Sequence, residues 1–335
     1  MNAPSSSTTP AARPALWLIV LAFASVYTIW GSSYIGIRFA VETIPPFLMA
    51  GSRFLAAGLI LFVWSRLRGA PMPTRRQWMS SAIASAPMFL VNNSLLVWSQ
   101  AQGLPSGIAA VVIASTPMWV VLLQWLLPNG KRPGLMIFIG IALSSTGIIL
   151  LSNPAHAAAT HEFNPLLVFA PAIAAIGWAI GSLYARKADL PDSSTMSTGT
   201  QLLTGGVMVL LLSVVTGDAA QFNLSAVTLR SALSVVHLTL FSSVIAFTAF
   251  TWLMRVVSPA RAMTYAYINP VIAVFLGWLL AGETLDVGTL ISAAIIISGV
   301  FLIVMEQGAP SRRAAHVPEP TVTAEVTPVP TAALK

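Results

Sequence analysis

Apolar residues of this chain occur in ten long runs that are separated by short polar segments. A helix of about 20 apolar residues is long enough to cross the hydrocarbon core of a bilayer. The pattern therefore predicts an all-α membrane protein with ten transmembrane helices. The predicted helices are Leu16–Phe39, Pro46–Ser65, Gln77–Ser99, Ser106–Leu127, Pro133–Leu151, Pro165–Tyr184, Met196–Thr216, Arg230–Met254, Pro259–Ala281 and Val287–Met305.

The two ends of the chain differ in composition from these runs. Residues 1–14 and 307–335 are rich in Ser, Thr, Pro, Ala and Val, and such segments bury too little apolar surface to fold. Both are predicted to be disordered tails. The first apolar run is longer than the core of a signal peptide and lacks a clear small-residue cleavage site, which favours a transmembrane helix.

A proline-interrupted stretch occurs twice, as Leu104–Lys131 and Ser258–Leu285, at an offset of 153 residues. Shorter matches at offsets of 148 to 152 relate other helices of the two halves. The aligned pairs include Pro117 with Pro270, Thr116 with Asn269, Gly51 with Gly199, Gly31 with Gly181 and Gly147 with Gly299. A proline frees a helix carbonyl, so Pro117 and Pro270 are predicted hinges.

Each half contains five predicted helices. Because five is odd, the second half must enter the membrane from the opposite side, which predicts two inverted five-helix repeats over residues 15–152 and 163–306. Inverted repeats are common in secondary transporters, where the substrate binds near the midplane between the repeats.

Basic residues are distributed unevenly between the two sides of this predicted bundle. Of the 17 Lys and Arg residues, 14 fall in the tails and in alternate loops that share one side. Lys and Arg favour cytoplasmic loops, so both termini are predicted to be cytoplasmic. The 14 are Arg13, Arg66, Arg68, Arg75, Arg76, Lys131, Arg132, Arg186, Lys187, Arg255, Arg261, Arg312, Arg313 and Lys335.

Composition excludes several classes of protein. With 56% hydrophobic and 8% charged residues, the chain differs from a soluble domain, and its net charge of +7 lies in membrane-flanking loops rather than on a face that would bind nucleic acid. There is no cysteine, no G-x-S-x-G elbow and no G-x-x-x-x-G-K-[ST] loop. We therefore expect no enzyme activity, no cofactor, no metal and no ATP-driven step.

Several motifs in order carry a family resemblance. The chain resembles bacterial members of the EamA family in the drug/metabolite transporter (DMT) superfamily, and within it the YedA-type branch, over residues 16–305. The resemblance implies a ten-helix inverted-repeat fold in the bacterial inner membrane and export of small organic solutes, among them amino acids, related compounds and drugs. The motifs are Tyr27–Tyr34, Ala50–Gly58, Pro105–Ala110 with Pro117, Ser258–Ala260, Tyr265–Pro270 and Gly282–Thr284. Glu283 has no counterpart in the first half.

Arg53 is the most informative candidate residue. It lies seven residues inside predicted helix 2, about 10 Å deep at 1.5 Å per residue. A charge at that depth normally faces a cavity or a partner. It is predicted to anchor a carboxylate or another polar group of the substrate. The alternative is a structural cation that binds helix-end carbonyls or extends outward to the membrane surface.

His237 has the same nominal depth in predicted helix 8. It is a candidate for binding substrate or coupling protons, and the alternative is a neutral imidazole bonded between helices. No Asp or Glu lies deep in a predicted helix, so the carboxylate relay of many proton-driven carriers is missing. We therefore expect facilitated diffusion or exchange rather than obligatory proton antiport.

Other polar and aromatic residues share helix faces at similar depths. They are predicted to form an aromatic-rimmed substrate cavity, although packing or an interhelical hydrogen bond explains any one of them alone. These candidates are Trp30, Ser33, Tyr34, Asn92, Asn93, Thr116, Trp178, Tyr265 and Asn269.

Taken as a sequence, the chain is predicted to be a secondary transporter that exports small organic metabolites by alternating access. Three alternatives stay open: a proton-coupled antiporter, a lipid flippase and a non-transporting membrane sensor. The expected partners are a small solute and membrane lipid, and a monomer would suffice.

Overall fold

A computed structural model describes residues 15–127, 132–151, 164–257 and 259–308. Within these ranges the regular secondary structure is helical, without strands. The prediction of an all-α protein is thereby confirmed. The predicted tails lie outside the described residues, except that residues 307 and 308 continue the last helix.

The helices follow the apolar runs, except that the predicted helix Pro259–Ala281 is divided into a short helix, Pro259–Ala262, and a longer one that begins at Tyr265. Eight are long and apolar enough to span a membrane, whereas α5 and α9 have 17 residues each and are shorter. Seventeen residues reach about 26 Å, slightly less than a hydrocarbon core of about 30 Å. The ten crossings therefore remain a prediction. The helices are α1 Leu16–Ala40, α2 Pro46–Leu67, α3 Arg75–Ala101, α4 Ser106–Leu126, α5 Leu135–Leu151, α6 Pro165–Ala185, α7 Ser194–Val215, α8 Leu229–Val256, α9 Tyr265–Ala281 and α10 Val287–Gly308.

Side-chain caps fix several helix starts one or two residues earlier than the apolar pattern predicts. Thr74 Oγ1 accepts a hydrogen bond from the Gln77 N–H, and Gln77 Oε1 accepts one from the Thr74 N–H, which forms a capping box before α3. Ser193 and Thr228 cap α7 and α8 in the same way with one bond each.

The two halves meet along glycine-rich contacts between α2 and α7. A β-carbon built at Gly58 would lie 2.7 Å from the Leu203 nitrogen and 3.1 Å from the Gly199 oxygen. A β-carbon at Gly206 would lie 3.1 Å from the Gly51 oxygen. Only glycine allows backbones to approach this closely. At the offset of 148, Gly199 is the counterpart of Gly51 and Gly206 is the counterpart of Gly58. Each glycine of α2 therefore contacts the counterpart of the other, as expected for two elements related by a two-fold axis.

Three helices of the bundle are irregular near its centre. Residues Ala86–Asn93 of α3 and Leu238–Ala246 of α8 are π-helical, and the two segments correspond at an offset of 152 residues. Helix α4 is interrupted at Ala114 and Ser115. Wide turns of this kind redirect side chains and are frequent at functional sites. All three irregular segments border the same central space.

Candidate functional site

A central cavity of about 110 Å³ lies where helices of both halves converge. A buried water occupies roughly 10–15 Å³ on this measure, so the space holds on the order of ten water molecules or a solute with a similar number of non-hydrogen atoms. Ten of the eleven predicted binding residues line this cavity, and His237 does not. The ten are Trp30, Ser33, Tyr34, Arg53, Asn92, Asn93, Thr116, Trp178, Tyr265 and Asn269.

Arg53 carries the charge of this cavity. Its side chain is buried, with 4% of the residue exposed, and its guanidinium carbon lies 4.4 Å from the centroid of the Phe54 ring. One nitrogen, Nη2, is 3.5 Å from Asn93 Oδ1, a long hydrogen bond. The other two, Nε and Nη1, have no partner among the described residues. Arg53 therefore neither binds a helix-end carbonyl nor extends to the surface.

Aromatic rings form the wall of the cavity around Trp30. The Trp30 ring meets Trp178 edge to face at 5.8 Å and Tyr265 edge to face at 5.1 Å, and it lies 5.1 Å from Phe250. Its Nε1 donates a hydrogen bond of 3.3 Å to the carbonyl of Ser242 in the π-helical segment of α8. Such edge-to-face packing holds each ring in one orientation. The wall is therefore rigid and largely apolar.

Some polar candidates are engaged within the fold. Asn92 Nδ2 donates to the carbonyl of Ala174 at 2.7 Å, and Ser33 Oγ donates to the carbonyl of Ile29 at 2.7 Å. Thr116 Oγ1 donates to the carbonyl of Ile113 at 2.6 Å. For these three residues, a role in helix packing accounts for the observed bonds.

One other polar atom remains available in addition to those of Arg53. Asn269 Oδ1 is buried and has no partner within the described ranges. A buried polar atom without a partner costs free energy, so it favours a ligand or water that supplies the missing bond. The cavity thus offers a cation and an acceptor within an aromatic wall.

Sequence reasoning missed several residues of the cavity wall. Phe89 belongs to the π-helical segment of α3, Ser242 and Ser243 belong to that of α8, and Phe247 follows directly. The adjacent Ser242 and Ser243 inside an apolar run were the available signal. Their inward orientation depends on the π-helical geometry, which the pattern of polar and apolar residues in the sequence does not reveal.

His237 lies in a separate groove between α1, α8 and α9. Its Nε2 is 3.2 Å from Ser32 Oγ, and its ring stacks on Phe241 at 5.4 Å. The prediction relied on depth along α8, and depth does not determine which face of the helix a residue occupies. His237 therefore does not line the cavity that Arg53 faces.

The two predicted hinges have different surroundings. Pro117 lies at the start of the second part of α4, just after the interruption. The Thr116 hydroxyl donates a hydrogen bond to the carbonyl of Ile113, which Pro117 leaves without a backbone donor. Pro270 lies inside α9, and the corresponding interruption, at residues 263 and 264, comes about one and a half turns earlier. Hinge motion at either proline stays a prediction.

Comparisons with known proteins identify relatives. The sequence profile of the EamA-like transporter family matches residues 16–153 and again residues 166–305. The chain is 37% identical to YedA of Escherichia coli K12, named as an uncharacterized inner membrane transporter, over 85% of this chain and 90% of YedA. It is 26% identical to the protein PecM of Dickeya dadantii, over 82% of this chain and 88% of PecM. A crystal structure of a protein with 18% identity has the same fold, with a TM-score of 0.61 over 86% of this chain and 98% of that one.

Proposed function

Because this chain belongs to the EamA-like transporter family of the DMT superfamily, and is a multi-pass protein of the inner membrane, we propose that it exports a small organic solute as a secondary transporter. The solute would bind in the central cavity between the two halves. Alternating access would then arise from rocking of one half against the other around this site.

Ten crossings in two inverted repeats are part of this proposal. The exchanged contacts of Gly51 and Gly58 with the second half support it, and α5 and α10 pack in the same manner. There, a β-carbon at Gly140 would lie 2.6 Å from the Gly299 oxygen, and one at Gly147 would lie 2.9 Å from the Ser292 oxygen. At an offset of 152, Gly140 corresponds to Ser292 and Gly147 corresponds to Gly299, so each glycine of α5 again contacts the counterpart of the other. The short helices α5 and α9 would cross by local thinning of the bilayer.

The unpartnered guanidinium nitrogens of Arg53 are the single observation that supports a substrate class. A buried guanidinium whose Nε and Nη1 lack partners favours a planar anion, because a carboxylate accepts two parallel hydrogen bonds from that fork. The aromatic wall around Trp30 favours an apolar or aromatic body. We therefore infer a carboxylate-bearing solute of amino-acid size, such as an amino acid or a related metabolite.

Transport would run as facilitated diffusion or exchange. No Asp or Glu lines the cavity in the described part of the chain, and His237 lies outside it. A proton-coupled antiporter would need a titrating group whose proton binding changes when the substrate binds or when the two halves rock.

Both termini would be cytoplasmic, as the distribution of Lys and Arg favours. A reporter that fluoresces only in the cytoplasm, fused after Lys335, should be bright. An expressed but dark fusion would contradict the ten-crossing topology.

Counterflow in proteoliposomes tests the function. Vesicles with the protein would be screened with amino acids and with the amines that remain after removal of the carboxyl group. We expect uptake of one or more carboxylates, no uptake of the matched amine, and loss of uptake in Arg53→Gln. Arg230→Gln, which removes a cation outside the cavity, is the matched control and should transport normally. Equal uptake of acid and amine would exclude the proposed role of Arg53.

A further inference from the structure

A second groove runs down the outside of the bundle between α3, α4 and α6 at the cation-rich end. We call it the inner groove. It encloses about 1,010 Å³, and its walls are apolar, formed by Ile83, Leu123, Leu127, Ile180 and Leu183. From Arg76 at its end to Ile83 it follows α3 for seven residues, about 10 Å at 1.5 Å per residue. This length would take the groove from a membrane surface at the level of Arg76 into the hydrocarbon layer.

Positive charge surrounds the end of the inner groove. Arg76, Arg186 and Lys187 line it together with one carboxylate, Asp189. Arg76 Nε lies 3.5 Å from Asp189 Oδ2 in an exposed ion pair. Neither Arg186 nor Lys187 lies within ion-pair distance of a carboxylate in the described ranges. Two exposed cations therefore remain unpaired above an apolar groove.

The fold contains the counterpart of this groove at the opposite end, which we call the outer groove. Leu123 and Leu127 correspond to Leu276 and Leu280 there, at the repeat offset of 153. The outer groove holds one arginine, Arg230, whose Nη2 is 2.8 Å from Glu42 Oε1.

The two grooves differ in their unpaired charge. At the offset of 150 that relates α1 to α6, the positions of Arg186 and Lys187 are held by Gly36 and Ile37. The surplus positive charge is thus specific to the inner groove and is not a consequence of the repeated architecture.

We propose that the inner groove binds an anionic phospholipid of the adjacent leaflet, with an acyl chain along the apolar wall and the phosphate headgroup against Arg186 and Lys187. Basic pockets between transmembrane helices on the cytoplasmic side are known to bind anionic headgroups. The groove is lined by the last turns of α4 and by α6, and both helices also line the central cavity. Occupancy of the groove therefore acts on helices that hold the transport site.

Native mass spectrometry of the full chain in detergent, with phosphatidylglycerol or phosphatidylethanolamine of identical acyl chains, tests this site. One cation near an anionic surface contributes about a fivefold change in binding. We expect the wild type to bind phosphatidylglycerol at least about fivefold more tightly than phosphatidylethanolamine, and the variant with Arg186→Gln and Lys187→Gln to lose this preference. Arg230→Gln in the outer groove is the matched control and should keep it.

The same spectra distinguish other occupants. Because both lipids are measured on each variant, a general loss of stability does not alter the comparison. The proposal is overturned by equal binding of the two lipids to the wild type or by a preference that survives in the double variant. It is also overturned if glycerol 3-phosphate, a headgroup without acyl chains, displaces the lipid at equal concentration. A dimer that dissociates in the double variant without lipid dependence would assign the groove to a contact between two copies.

Discussion

The carboxylate of Glu283, at the end of α9, accepts a hydrogen bond of 2.7 Å from the backbone N–H of Ser106 at the start of α4. Its second oxygen, Oε2, accepts one of 3.0 Å from the Gly107 N–H, and Arg38 Nε of α1 lies 3.7 Å from the first oxygen, Oε1. The first N–H groups of a helix have no partners within the helix and favour a negative charge. One side chain therefore joins three helices at the end opposite to the cation-rich one.

Replacement of Glu283 should loosen this end of the bundle. A helix cap contributes roughly 0.5–2 kcal/mol, which corresponds to about a 2- to 30-fold change in an opening equilibrium. The chain has no cysteine, so one introduced thiol reports on opening. In a Leu104→Cys background, where Leu104 is fully buried, Glu283→Ala should raise the rate of thiol labelling by such a factor. Glu42→Gln, an exposed carboxylate at the same end, should not, and equal rates in both variants would contradict the assigned role.

Removal of the Arg53 charge should separate stability from function. A buried cation without a carboxylate destabilises the empty protein, and apolar replacements of buried charges are often neutral or stabilising. Arg53→Met should therefore keep or raise the Tm of the ligand-free protein while transport is lost. Arg53→Lys keeps the charge without the planar fork, so it should give no gain in Tm and weaker solute binding. A large drop in Tm for Arg53→Met would instead make Arg53 a structural residue.

Close packing of α2 against α7 predicts a strong effect of side-chain size. A side chain at Gly58 meets backbone atoms of Leu203 and Gly199, which cannot rotate away. Gly58→Val should lower stability by about 1–3 kcal/mol, seen as a Tm lower by several degrees. Ala56→Val is the control, because Ala56 lies two residues away on the exposed face of the same helix. A normal Tm for Gly58→Val would show that the two halves separate at this contact.

The helices were predictable because long apolar runs are required by the bilayer. Their starts shifted by one or two residues where a cap such as Thr74 begins the helix before the apolar run. The convergence of ten predicted residues on one cavity has a similar cause. Polar side chains in a membrane avoid lipid and face the interior, so depth and polarity together place residues such as Arg53 and Asn269 near the centre.

The π-helical segments could not be predicted from the sequence. They depend on the register of backbone hydrogen bonds, which side-chain pattern does not encode, and Pro87 in the first segment has no counterpart in the second. The segment that begins at Leu238 also changes the helical phase directly after His237. An ideal helix therefore predicts a depth for His237 and gives no information on its face.

Pro270→Ala should slow transport more than it weakens binding. The substitution restores a backbone N–H to the carbonyl of Ala266 in a helix that lines the cavity, and this added bond stiffens α9 during alternating access. Counterflow rates against solute concentration separate the maximal rate from the half-saturation constant. Pro46→Ala is the control, since the first position of α2 has no partner for an N–H in any case. An unchanged maximal rate with lost affinity would make Pro270 a binding residue only.

The driving force of transport can be tested at His237. The His237 ring is held by Ser32 and Phe241 outside the cavity, so proton binding there has no direct contact with a solute beside Arg53. Counterflow at equal pH on both sides should therefore proceed in the wild type, persist in His237→Gln and fail in Arg53→Gln. An imposed proton gradient should leave the final distribution of the solute unchanged. Concentrative uptake that needs the gradient and vanishes in His237→Gln would establish proton antiport, with His237 acting through the α1–α8 contact.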